Sequence, residues 1–193
     1  VYGPADATPL HEDRPCAPMS PYAVSKYAVE HYARVFTDLY GIVLVGLRFF
    51  NVFGPRQDPD SPYAAVVPLF IRALRAGRAP TVFGDGKQSR DFTYIDNVVD
   101  AIVRAMDAPG PANGAYNVAC GSSTTVLELV RMINDIMGTN IEPAFAPARP
   151  GEIPWSLADI AKARAAFGYA PAIGVREGLA RTVEWALREC AAP

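Results

Sequence analysis

Tyr22 and Lys26 stand four residues apart in the stretch SPYAVSKYAVE. On a helix, that spacing puts the phenol and the ammonium on one face, close enough to interact. A phenol with the ordinary pKa of about 10 is a poor base at neutral pH. A neighbouring cation favours the phenolate, and the pair then forms a reversible acid/base for an alcohol that gives up hydride. Taken alone, Tyr-x-x-x-Lys also fits an ordinary exposed face of an amphipathic helix.

The remaining inventory narrows the chemistry. Cys16, Cys120 and Cys190 are odd in number and lack metal-ligand spacing. They read as free thiols in a reducing, cytoplasmic setting rather than as a disulfide framework. His11 and His31 form no cluster with cysteine or carboxylate, so no metal site is expected. Eighteen basic side chains against twenty acidic ones give a net charge of −2 and a pI of about 5.7. No general field would draw nucleic acid or an anionic membrane surface, and any phosphate must be met by a few placed arginines. No apolar run approaches the ~18 residues that span a bilayer. Hydrophobic residues make up 50% of the 193, charged ones 20%, and mean hydropathy is +0.08, a composition that supports a buried core and excludes wholesale disorder.

Several elements must position these residues. Ser20 as cap, Pro21 in the first turn and apolar Val24, Ala28, Val35 and Leu39 predict a helix from Pro21 to about Tyr40, ended by Gly41. The continuous β-rich run IVLVGLR that follows, residues 42–48, suits a strand covered on both faces of a parallel sheet. Residues 1–20 read as surface loop, with 1–3 as the end of a strand. A long loop from Phe50 through GPRQDPDSPY precedes a helix over 64–76, closed by Gly77. APTVFGDGKQSRDFTYID carries two short β-prone runs around Gly84-Asp85-Gly86. Further helices are predicted over 97–106, 125–137, 159–167 and 175–190, and strands over 115–119 and 141–145. Asp96 and Asn97 read as caps, Trp185 as packing and His31 as a partly exposed helical residue. The alternation is α/β.

A nucleotide-binding parallel sheet opens with a βαβ unit whose first turn is Gly-rich. The 193 residues contain neither GxGxxG nor GxxGxxG, and too few strands for a complete doubly wound sheet. The chain, which starts with Val rather than Met, therefore reads as the C-terminal part of a larger protein.

Six ordered motifs carry a resemblance over about 180 residues. Val1-Tyr2-Gly3 with SPYAVSKYAVE, LRFFNVFGPRQDPDSPYAAVVP, TVFGDGKQSRDFTYIDNVVDA, YNVACGSSTTVLELV and RPGEIPWSLADIAKARAAFGYAP resemble the extended short-chain dehydrogenase/reductase family, most closely its UDP-sugar 4-epimerases. The resemblance implies a partial Rossmann-type parallel sheet, its N-terminal half absent, plus a smaller α/β C-terminal substrate-binding lobe. Residues 1–60 and about 96–120 would belong to the Rossmann core, and about 61–95 and 121–193 mainly to the lobe.

It also implies roles. Tyr22 would be the acid/base at the sugar 4-hydroxyl, and Lys26 would bind the nicotinamide ribose of NAD and tune Tyr22. Phe49, Phe50 and Asn51 match an aromatic-Phe-Asn segment that borders the nicotinamide and offers the Asn51 amide to the diphosphate. Val66, Val67 and Pro68 match a backbone stretch near the uracil, and Phe83 the aromatic that packs on it. Arg90 and Arg149 match two diphosphate-gripping arginines, whose planar forks suit bidentate phosphate contacts. Glu152 stands where the family usually has Asp against the nucleotide ribose. Ser156, small where a bulky aromatic would narrow the pocket, leaves room for an N-acetyl group. Without the motifs, Arg90 beside Asp91 reads equally as an ion pair, and the three phenylalanines as plain core.

The activity implied is NAD-dependent epimerisation of a UDP-hexose at C4, for UDP-glucose/UDP-galactose and the N-acetylhexosamine pair, by a cytoplasmic homodimer with the Tyr22 helix in its interface. Two alternatives stand: a nucleotide-sugar 4,6-dehydratase or decarboxylase of the same family, and a non-catalytic sugar-nucleotide-binding fragment. The 193 residues alone are expected to show neither turnover nor tight NAD binding, and their sheet to keep an unpaired edge.

Overall fold

Local signals bound the first helix residue for residue. In the computed structural model, which describes residues 1–4, 8–60, 65–108, 113–149 and 153–189, the Ser20 hydroxyl accepts the Ala23 N–H at 3.1 Å and Pro21 opens α1 (Pro21–Tyr40). Gly41, at φ 66°, adopts the left-handed turn that glycine takes most readily, and returns its N–H to the Thr37 carbonyl. The strand that follows, β1 (Val45–Phe49), starts three residues later than the hydropathy run suggests. The Ile42 carbonyl is taken by the Thr37 hydroxyl and the Leu44 N–H by the Asn113 side chain, so the run's first residues serve the turn instead of the ladder.

Between β1 and its parallel partner β6 (Gly114–Val118) the chain crosses over through α3 (Ile95–Met106), in register from Val45↔Gly114 to Phe49↔Val118. Residues 52–94 are inserted into this crossover and build much of a second layer. They comprise β2 (Val52–Phe53), α2 (Val66–Arg75), β3 (Thr81–Phe83), β4 (Ser89–Arg90) and β5 (Thr93–Tyr94). After β6 come β7 (Thr124–Thr125), α4 (Val126–Met137), β8 (Ala144–Ala146), α5 (Ala161–Phe167) and α6 (Val175–Glu189). Among the described residues the strands join only in pairs: β1–β6, β2–β5 and β3–β8 parallel, β4–β7 antiparallel.

Two apolar clusters hold the elements. Val98, Ala101, Val118, Ala163, Phe167 and Tyr169 form the first, over β6, α3 and α5. The second joins α2, α4 and α6 through Phe70, Leu74, Leu129, Ile133 and Leu179. α6 seats closely because Gly178 carries no side chain: a Cβ there would lie 2.8 Å from both Phe53 Cζ and Tyr94 Cδ2. α1, by contrast, has no buried residue, and Val29, Tyr32, Phe36 and Leu39 face solvent. β1 is paired on one side only among the described residues.

Several expectations are corrected. Residues 1–3 are not strand; the Val1 carbonyl accepts the Ala17 N–H and the Tyr2 hydroxyl donates to Asn117. Residues 141–143 do not join β8, because the Asn134 side chain bonds both the N–H and the carbonyl of Ile141. Asn97 caps nothing. It is buried, and its carboxamide bonds the backbone of Ala172 and Ile173. α3 starts two residues earlier, at Ile95, with no side-chain cap, and Asp96 pairs with Arg181. His31 lies exposed, edge-on to Tyr27. Cys16 and Cys120 are free thiols, and Cys190 lies outside the described residues.

Candidate functional site

Tyr22 and Lys26 share the first turns of α1, as the spacing requires. The Lys26 ammonium lies 5.4 Å from the Tyr22 ring centroid, over its face. Tyr22 is 69% exposed, so the phenol is open to a ligand. At the C-terminal end of β1, where parallel strands present ligands, Phe49 is 46% exposed and Asn51 follows in the turn to β2.

Asn51 opens onto a cavity of about 310 Å³ that gathers most of the residues singled out for a diphosphonucleoside. Val66 reaches it from the start of α2, Phe83 from the end of β3, Arg90 from β4 and Arg149 from the segment after β8. These positions run from 51 to 149 in the sequence, and the pairings β2–β5, β3–β8 and β4–β7 bring them together. The walls are apolar, with two guanidinium groups and two carboxamides, Asn51 and Gln88, on them. That is a lining for a flat apolar ring attached to an anion. The Arg149 guanidinium lies 3.9 Å from the Phe83 ring centroid. Arg90 donates from Nη1 to the Ser89 carbonyl at 2.9 Å.

A second cavity, of about 190 Å³, adjoins through Asn51 and is lined by Phe49, Trp155 and Ser156. The segment carrying Trp155 and Ser156 is clipped to β4 by backbone bonds: Ser89 N–H to the Pro154 carbonyl at 2.9 Å, and Ser156 N–H to the Ser89 carbonyl at 3.1 Å. Tyr22 and Lys26 line neither cavity, and Glu152 lies outside the described residues.

Residues 1–119 match the family described as the NAD dependent epimerase/dehydratase family. The chain belongs to that family. It is 43% identical over 187 residues to a UDP-glucose 4-epimerase of Mycolicibacterium smegmatis, covering 96% of this chain and 58% of that protein. Among solved structures, a UDP-N-acetylglucosamine 4-epimerase from Methanobrevibacter ruminantium M1, in complex with UDP-N-acetylmuramic acid, superposes with a TM-score of 0.93 at 41% identity. That match covers 98% of this chain and 60% of the other. A UDP-glucose 4-epimerase from Thermotoga maritima, solved with UDP-glucose, superposes with a TM-score of 0.93 at 36% identity, over 98% of this chain and 60% of that one. The fold is thus the α/β arrangement of those epimerases, with a partial Rossmann-type sheet, and the chain spans about 60% of their length.

Within this epimerase/dehydratase chain, Asp91 is the residue that a local reading misjudged. An ion pair with Arg90 was one expectation, yet Asp91 is fully buried. Its carboxylate accepts N–H groups from Cys120 at 2.8 Å, Gly121 at 3.0 Å and Ala158 at 3.3 Å. It ties the turn after β6 and the Ser156 segment to β4, which carries Arg90. Burial pushes the Asp91 carboxyl up from 3.8 to about 6. Burial, and then the Asp91 charge, push the Cys120 thiol up to about 11, so that thiol is inert at neutral pH. Gln88, which was not singled out, lines the larger cavity and donates from Nε2 to the Phe83 carbonyl at 2.7 Å. Its place two residues before Arg90 was the available signal.

Proposed function

We propose that the protein carrying this chain is an NAD-dependent UDP-hexose 4-epimerase, acting on UDP-glucose/UDP-galactose and on the N-acetylhexosamine pair. The observation that carries the reading is the meeting of Asn51, Val66, Phe83, Arg90 and Arg149 on one cavity beside Ser156. The family and the two superposed epimerases support it. Arg90 and Arg149 hold the diphosphate, Phe83 and the start of α2 hold the uracil, and the hexose extends past Asn51 to Ser156. Glu152 is assigned to the nucleotide ribose.

Tyr22 takes the proton from the 4-hydroxyl and returns it after the sugar has turned over. Lys26 stabilises the phenolate beside it. NAD, when bound, stores the hydride removed from C4 between the two halves of the reaction. The residues present fit its nicotinamide end: Tyr22 is exposed on α1 with Lys26 over its ring, and Phe49 is half exposed at the end of β1. No residue of this chain is assigned to its pyrophosphate. A firm hold on UDP with few contacts to the sugar is what turnover of a keto sugar in the pocket requires.

Residues 1–60 and about 96–120 are assigned to the Rossmann core, and about 61–95 and 121–193 mainly to the substrate lobe, although Ala163, Phe167 and Tyr169 of the latter stretch pack on β6 and α3 in the first apolar cluster. The uncovered apolar face of α1 supports a homodimer with that helix in its interface. Among the described residues no helix is long and apolar enough to cross a membrane. The free thiols of Cys16 and Cys120 support a reducing, cytoplasmic setting. The test is to supply UDP-glucose, then UDP-N-acetylglucosamine, to the full-length protein and follow the sugar by proton NMR. Appearance of the C4 epimers supports the reading. A 4-keto-6-deoxy sugar or unchanged substrate refutes it.

A further inference from the structure

Phe83 and Arg149 approach the larger cavity from adjoining strands. Phe83 ends β3, opposite Ala146 of β8, and three residues beyond Ala146 the chain lays the Arg149 guanidinium on the Phe83 ring, 3.9 Å from its centroid. A planar cation at that distance covers a face of the ring. It occupies the layer that a planar base stacking on that face would need. Arg149 is exposed, and no carboxylate among the described residues pairs with it. Leaving the ring therefore breaks mainly the stack itself.

We infer that Arg149 keeps the nucleobase slot covered in the ligand-free site, and that a diphosphate, not a base, uncovers it. The inference rests on reading this cavity as the uridine diphosphate site. A charge-assisted, bidentate bond from guanidinium to phosphate is stronger than a partly exposed cation–π stack. A ligand carrying phosphates draws Arg149 off Phe83 and frees the ring for its own base. A nucleoside without phosphates has to compete with Arg149 for the same face. Arg149 thus selects for nucleoside diphosphates twice, by binding the phosphates and by closing the base slot to ligands that lack them.

Calorimetric titration of the full-length protein with uridine and with UDP tests this, because the two roles move the two ligands in opposite directions. Arg149→Ala is expected to bind uridine about three- to fivefold more tightly than the wild type, and UDP at least about tenfold more weakly. Arg149→Lys, which keeps the charge without the flat face, is expected to gain on uridine also while losing less on UDP. Arg149 is exposed, so both variants should melt as the wild type does. Uridine binding unchanged or weakened in both variants, with UDP still bound by the wild type, overturns the slot-covering role alone. A weakened uridine would mean that the guanidinium stacks on the bound base. Wild-type protein that binds neither UDP nor uridine overturns the reading of the cavity, and this inference with it.

Discussion

The Asn97 carboxamide brackets the backbone of Ile173, 76 residues away: Nδ2 donates to its carbonyl at 2.8 Å and Oδ1 accepts its N–H at 3.1 Å. The Ala172 N–H reaches the same oxygen at 3.0 Å. Through these bonds the buried start of α3 sets where the chain turns into α6, and so where α6 meets the second apolar cluster.

Asn97→Ala leaves those backbone groups without partners beside the core. Unmade bonds at buried groups cost about 1–3 kcal/mol each, part of which water recovers here. A loss of roughly 2–4 kcal/mol in unfolding free energy is expected, read by urea denaturation of the full-length protein.

Asp91 makes stability fall as pH rises over a defined window. Its folded carboxyl titrates near about 6, above the 3.8 it has when unfolded. The folded state holds the proton more tightly. The contribution is fully present below about 3.8, and is lost as pH climbs through about 6. The full loss is roughly 3 kcal/mol. In Asp91→Asn this slope should vanish, on a protein less stable throughout because an amide cannot accept all three N–H groups. Denaturant midpoints between pH 4 and pH 7 check it; an unaltered slope in the variant would assign the titration elsewhere.

Ser156 borders the smaller cavity, the space that the proposed function gives to the hexose. Ser156→Tyr is expected to lower kcat/KM for UDP-N-acetylglucosamine by about tenfold or more, while UDP-glucose changes by less than about threefold. Equal effects on both sugars would show that Ser156 does not face the 2-substituent.

Elements bounded by local chemistry were legible in the residues. α1 runs from Pro21 to Tyr40 because Ser20 caps it and Gly41 takes the left-handed turn, and both signals lie within one turn of the boundary. Elements whose limits depend on distant partners were not. β1 starts late because Asn113 holds Leu44, and residues 141–143 stay out of β8 because Asn134 holds Ile141. Asn97 reads locally as a cap, because capping is the usual local use of that residue type before a helix. Its partners lie 75 and 76 residues away. The cavity residues were legible through the family's motifs, whereas their meeting in space depends on strand pairings that no single motif contains. Asp91 was hidden for a related reason: its neighbour Arg90 offered a simpler partner than three backbone N–H groups from other segments.

Epimerisation through Tyr22 is tested most directly with UDP-glucose carrying deuterium at C4. Removal and return of the same hydride predicts UDP-galactose that keeps the deuterium at C4, with nothing gained from solvent. In Tyr22→Phe, turnover should fall roughly a hundred- to ten-thousandfold, with UDP affinity unchanged. Deuterium lost from C4 to solvent, or a Tyr22→Phe enzyme that works at the wild-type rate, would contradict the assignment.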